Sequence, residues 1–242
     1  MILAGIDLAW QSEKNGTGVA FGTLDRGCLS VNHAESGLNS LAAISAQLAR
    51  YPDLHGVAID GPLIINNVSG QRQCETLVGR EYGARKASCH TSNLERYPDS
   101  ASVSLSRALN EQGFVHLGTT SKWQIECYPH PALIEIFGLA ERLPYKKGRI
   151  QAKRDGQEEL GRLLRKLSDS PFLALQIPDH LNQKLESSHI QELSGVKLKH
   201  NEDLLDAVVC LYIAGLYAIG CRDKVFGDSD NGYIYVPQCR CL

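Results

Sequence analysis

No apolar run in the 242 residues approaches the roughly 20 needed to span a bilayer, so no membrane contact is expected. No excess of one charge is present either: 25 Lys and Arg stand against 27 Asp and Glu, a formal net charge of −2. That excludes a global basic footprint, and any nucleic-acid reading must rest on local patches. No cysteine pair has the C-x2-C spacing of a structural zinc site, which argues against zinc. No basic, apolar leader opens the chain, so the eight cysteines are expected as reduced thiols in a cytoplasmic protein. Cys28, Cys74, Cys89, Cys127, Cys210 and Cys221 are scattered, while Cys239 and Cys241 sit on what reads as a frayed tail. Internal repeats and low-complexity segments are absent. What is present is 43% hydrophobic and 21% charged, ordinary material for one α/β domain over 1–242.

The chain opens on Ile2, Leu3, Ala4 and Ile6, an apolar run closed by Asp7. Apolar residues on both faces predict a buried central strand. A polar stretch, 11–15, precedes a second strand through Thr17, Val19 and Phe21. Asp25-Arg26-Gly27 signals a turn, and a third strand is expected over 28–33. Ser36-Gly37 opens a helix with Leu38, Leu41, Ile44 and Leu48 on one face. A fourth strand, 55–60, again ends in an acid, Asp60. A right-handed crossover lays it parallel to the first strand and brings Asp7 and Asp60 to one sheet edge.

The segment at about 64–120 is expected as an insertion or lid, with a helix near 104–112. A fifth strand, 123–127, carries Glu126. A helix follows from Pro131, another from 157 to 167, and 171–198 reads as linker with one or two short helices. The last helix is expected over 202–221, with Asn201 as its cap. Asp203 and Asp206, three apart, share one of its faces. A final strand covers 233–236.

Three acids at strand ends and two on one helix face form a constellation. Hard divalent cations take such oxygen donors, and two ions together can hydrolyse a phosphodiester. Other readings stand beside this one. Asp7 could bond backbone amides, Asp203 could answer the charge of a helix N-terminus, and Glu126 could ion-pair with Lys146 or Lys147. His130, between two prolines, reads as a loop residue. The acid-free basic stretch 142–154 contains Lys146, Lys147 and Arg149. It is either a solvated surface or a phosphate-attracting patch, with Tyr145 and Trp123 available to stack on bases.

The pieces GIDLAW (5–10), AIDGPL (58–63), IECYPHPAL (125–133), LPYKK (143–147), EDLLDAVVC (202–210) and GYIYVP (232–237) together resemble the predicted ribonuclease H-fold nucleases known as domain-of-unknown-function family 429. The stretch from Asp203 to Ala207 is similar to the catalytic helix of RuvC-type resolvases. The resemblance implies a ribonuclease H-like fold. Its mixed five-stranded sheet would have an antiparallel meander of strands 1–3, then parallel strands 4 and 5, flanked by helices. It implies metal ligands at Asp7, Asp60, Asp203 and Asp206, and a site role for Glu126, with Asp7, Asp60, Glu126 and Asp206 as the catalytic set. Family members often carry an acid where His130 stands. The implied cofactor is Mg²⁺ or Mn²⁺, two ions. The partners are a nucleic acid, bound in part by Lys146, Lys147 and Arg149, and a second copy of the chain in a homodimer.

Two other functions compete. One is an actin-like phosphotransferase or ATPase, which would need a second such domain and a glycine-rich phosphate loop; only one meander is visible here. The other is a non-catalytic nucleic-acid-binding module on the same fold. Four idle buried acids would be costly in it.

Overall fold

The computed structural model describes residues 1–9, 16–120 and 122–241, so the polar stretch expected at 11–15 lies outside the described residues. The opening apolar run forms β1 (Ile2–Asp7), and β2 (Thr17–Asp25) returns antiparallel beside it. β3 (Cys28–Leu38) runs past its expected end at residue 33, because Leu38 is still in register with Thr17. Ser36, Gly37 and Leu38 therefore belong to a strand. Helix α1 (Leu41–Ala49) opens later, where Ser40 Oγ accepts from the Ala43 N–H at 3.1 Å. Strand β4 (Leu54–Asp60) lies parallel to β1, with Asp60 opposite Asp7.

The segment expected as an insertion or lid holds α2 (Gln73–Tyr82), α3 (Ala101–Glu111) and the short β5 (Val115–His116). Its helices pack into the core, while its Cys89 and His90 line a cleft with Asp60. Leu105 and Leu109 of α3 join the cluster of Ile6, Val57 and Ile59, and Cys74, Val78 and Tyr82 of α2 pack with Phe226 and Ile234. Then come β6 (Trp123–Cys127), α4 (Pro129–Phe137) and α5 (Ile150–Lys166). The stretch read as linker holds β7 (Ala174–Gln176), α6 (Asp179–Asn182) and α7 (Ser187–Ile190). Helix α8 (Gly195–Ala218) and the hairpin of β8 (Asp223–Asp228) and β9 (Gly232–Pro237) complete the chain.

Among the described residues one mixed sheet of nine strands runs β7-β3-β2-β1-β4-β6-β9-β8, with β5 also paired to β6. The five strands expected for the sheet are present with their pairings, antiparallel for β1–β3 and parallel for β1, β4 and β6, and β9 is the final strand expected at 233–236. The others lack a legible period. β7 has three residues, β5 has two, and only Phe226 of β8 is buried.

Helix α8 begins at Gly195, so Asn201 lies inside it rather than capping it. Its first turns carry Val196, Lys197 and Lys199 into solvent and bury Leu198 alone, which hides the helical period. From Asn201 to Leu216 every residue is buried, as in a helix covered on all sides. It crosses the sheet in backbone contact. A Cβ on Gly5 would lie 2.0 Å from the Leu211 nitrogen, and one on Gly18 would lie 2.1 Å from the Asp203 oxygen. Helix backbone cannot yield as a side chain can. Gly5→Ala is therefore expected to cost at least the upper end of the roughly 1–3 kcal/mol typical of overpacking, measured by urea denaturation. An unchanged midpoint would mean that α8 slides freely.

The tail is not frayed. Cys239 and Cys241 are buried, the Cys241 N–H donates to the Ile136 carbonyl at 2.8 Å, and the Gln238 N–H donates to the Arg222 carbonyl at 2.7 Å. Cys239 is joined to Cys221 in a disulfide, so the expectation of wholly reduced cysteines is corrected; the other six cysteines are free. No helix among the described residues is long and apolar enough to cross a membrane.

Candidate functional site

Alternation along β1 sends Leu3, Gly5 and Asp7 to one face, and along β4 it sends Ala58 and Asp60 to the same face. That face is covered by α8. At Gly5 the helix lies against the strand, so Asp7, two residues on, meets the turn of α8 that carries Asp203 and Asp206. Asp203 is 1% exposed and Asp206 is fully buried. The structure thus brings four of the expected acids together. Both α8 acids sit well inside the helix, so a helix N-terminus does not account for Asp203.

Three further side chains hold the cluster. The Tyr145 hydroxyl donates to Asp206 Oδ1 at 2.6 Å. The Lys146 ammonium lies 2.8 Å from Asp206 Oδ2 and 3.8 Å from Asp60 Oδ2. The Lys199 ammonium lies 2.8 Å from Asp203 Oδ1 and 2.6 Å from Glu202 Oε1. Tyr145 is fully buried and Trp123 nearly so, tilted against Tyr217, so neither is available to a nucleic-acid base. His130 is not a loop residue. It sits buried in the first turn of α4 against the Tyr145 ring, 5.4 Å between centroids, and burial with the charge of Lys146 pushes its imidazole down to about 2.

Glu126 is close in space but engaged elsewhere. It pairs with Ile59 in register, so it leaves the sheet on the face opposite to Asp60 and Cys127. There both its oxygens are taken by Arg72, at 2.9 and 2.5 Å, and the Leu63 N–H adds a bond at 2.9 Å. The expected partner was Lys146 or Lys147; the observed one is Arg72, whose guanidinium also reaches Glu75 at 2.9 Å. Lys147 and Arg149 are exposed on the loop before α5. Lys146 faces inward, with its side chain 23% exposed. A narrow cleft beside the acids is lined by Asp60, His90, Cys89 and Tyr128, and also by Glu126 and Arg72. A larger groove near β7, lined by Ser30, Arg165 and Gln176, lacks any acid.

The electrostatics are those of crowded, buried carboxylates. Burial pushes the Asp7 carboxyl well above its ordinary range, with Asp206, Asp60 and Asp203 adding to it and Lys146 opposing. Burial raises the Asp203 carboxyl too, against the pull of Lys199, with Asp206 adding to it and Asp7 close enough to act on it. Burial would lower the Lys146 ammonium, but the surrounding acids, Asp206 foremost, hold it well above its ordinary range. Asp60 is pushed from 3.8 to about 6, by burial first, then by Asp206 and Glu126 against Lys146.

The Asp60 shift sets a pH dependence. The folded chain binds this proton more tightly than the unfolded chain does. Its contribution to stability is whole below about pH 4 and is lost as the pH rises through about 6. The full loss is on the order of 3 kcal/mol. Asp60→Asn is expected to flatten this limb and to leave the metal-free protein more stable than the parent at pH 8, read by calorimetry in EDTA. A less stable variant at that pH would mean that the attraction to Lys146 outweighs desolvation.

Among the described residues, no group of three or more His, Cys, Asp or Glu side chains stands in ready-made metal-ligating geometry; the carboxylates are drawn onto Lys146 and Lys199 instead. The donor set still suits a hard cation. It is all carboxylate oxygen, and Asp203 Oδ2 is buried without a hydrogen-bond partner.

A mixed α/β fold with four aspartates converging at the carboxyl ends of two parallel strands is the class this geometry defines. The chain belongs to the family described as Protein of unknown function (DUF429), whose family model matches residues 5–231. Neither a curated protein nor a solved structure matches it.

Proposed function

We propose that this chain is a divalent-metal-dependent nuclease on a ribonuclease H-like fold, hydrolysing phosphodiester bonds of DNA or RNA. One observation carries the reading: Asp7 opposes Asp60 at the ends of adjacent parallel strands, and α8 brings Asp203 and Asp206 onto both. The strand order β3-β2-β1-β4-β6, an antiparallel meander followed by parallel strands, supports the fold assignment. Asp7, Asp60, Asp203 and Asp206 would hold two divalent ions between them. When bound, Mg²⁺ or Mn²⁺ supplies Lewis-acid stabilisation of phosphate charge and lowers the pKa of water.

The chain's own residues do the positioning. Tyr145 fixes one oxygen of Asp206 and Lys199 fixes one oxygen of Asp203, so the opposite oxygens are aimed into the cluster. Lys147 and Arg149 stand in solvent on the adjoining loop, where they attract phosphates in a salt-dependent way. The test is incubation with Mn²⁺ and single strands, duplexes, DNA–RNA hybrids and four-way junctions. Cleavage of at least one class, stopped by EDTA, is expected. A folded protein that binds no metal and cuts none of them would sink the reading. Nucleotide-dependent thermal stabilisation would favour the actin-like alternative.

A further inference from the structure

Lys146 was read from sequence as a phosphate ligand, and its place in the fold suits another role. Its ammonium stands between Asp206 Oδ2, at 2.8 Å, and Asp60 Oδ2, at 3.8 Å. A divalent ion shared by these two oxygens would need that same space, since Mg²⁺ sits about 2.0–2.1 Å from each ligand. Nor is Lys146 a surface lysine free to swing away. The preceding Tyr145 is fully buried and locked to α8 through Asp206 Oδ1. Helix α5 presses on the same segment at Gly156, where a Cβ would lie 2.5 Å from the Pro144 oxygen and 2.7 Å from the Tyr145 Cα.

The other half of the cluster is different. Asp203 lies beside Asp7; Lys199, shared with Glu202, reaches Oδ1 of Asp203, and Asp203 Oδ2 is buried with no hydrogen-bond partner. Asp206 Oδ2 also lacks a hydrogen bond but has Lys146 beside it, and Lys146 touches both acids of its half; Lys199 touches one acid of the other half and leaves Asp203 Oδ2 with no cation.

We propose that the Lys146 ammonium is the second cation of this site, so that the chain binds one divalent ion, on the Asp7–Asp203 side, where a two-metal site would bind two. This rests on the metal-site reading above and replaces its ion count. Lys146 then neutralises Asp60 and Asp206 as a permanent, tethered charge.

The experiment counts Mn²⁺ bound by the metal-free full chain, by calorimetric titration and by the loss of the free-ion electron paramagnetic resonance signal. The parent is expected to bind one Mn²⁺ per chain. Lys146→Met vacates the Asp60–Asp206 side and is expected to raise the count to two, whereas Lys146→Arg keeps it at one. Two ions in the parent, or one ion in a folded Lys146→Met variant, would overturn the inference. Two ions in the parent would leave the metal-site reading standing; none at millimolar Mn²⁺ would remove both. Should Lys146→Met fail to fold, the parent count decides alone.

Discussion

Arg72→Met is expected to destabilise the fold by about 3–5 kcal/mol, the cost of breaking a buried ion pair from one side. Arg72 is 3% exposed and is the hub for two buried acids. It binds both oxygens of Glu126, reaches Glu75 Oε1 at 2.9 Å and donates to the Ile64 carbonyl at 3.0 Å. Methionine has comparable length and no charge, so packing is largely kept while two carboxylates lose their cation. Glu75 retains the Ser92 amide, the Ser92 hydroxyl and the Arg72 amide. Glu126 retains, among the described residues, only the Leu63 amide. Burial already pushes the Glu126 carboxyl up against the pull of Arg72, and without Arg72 that push is unopposed. The double variant Arg72→Met/Glu126→Gln is therefore expected to recover part of the loss, as coupled neighbours do. Urea denaturation of the two single variants and the double variant measures this coupling. Additive losses would show that Arg72 and Glu126 do not act as a pair.

The same network shows why one part of the site was legible in the sequence and another was not. Asp7 and Asp60 each close an apolar run, and the handedness of a β-α-β crossover brings their strands together without reference to distant residues. Asp206 stands out because a charge amid Leu204, Leu205, Val208 and Val209 has no surface to face. Arg72 offers no such sign. It lies 54 residues from Glu126, in a segment without a clear period, and only the packed fold joins them. Lys199 was within reach. It is four residues before Asp203, the spacing of a helical ion pair, but the exposed first turns of α8 hid the true start at Gly195. Glu126 lines the cleft beside Asp60, but its orientation was not legible. A strand-end acid next to the right strand looks like a site residue, and the one-residue alternation that turns it to the opposite face shows only in the register of β4 and β6.

Asp7→Asn should separate a site acid from a structural one. Under the proposed function, cleavage in Mn²⁺ is expected to fall by at least about 10³-fold, equivalent to roughly 4 kcal/mol of lost transition-state stabilisation. Asparagine keeps the shape of the side chain and one oxygen but gives up the negative charge that a cation needs. Stability is expected to move the other way or not at all. The Asp7 carboxyl is pushed well above its ordinary range by burial and by three neighbouring aspartates. Its ionised form is therefore a liability to the metal-free fold, and the neutral amide resembles the protonated form that the fold prefers. The amide N–H of the asparagine can donate to the neighbouring Asp203 carboxylate. Thermal melting in EDTA at pH 7 should thus show the variant at or above the parent, while added Mn²⁺ should raise the parent's midpoint and leave the variant's nearly unchanged. A structural acid behaves in the opposite manner. If Asp7 served to hold β1 against α8, the variant would melt earlier in EDTA, and any loss of cleavage would track the unfolded fraction. A midpoint that is flat or raised, together with lost cleavage and lost metal stabilisation, places Asp7 at the chemistry. A lowered midpoint with Mn²⁺ stabilisation intact would return it to the scaffold and leave Asp203 and Asp206 as the acids to test.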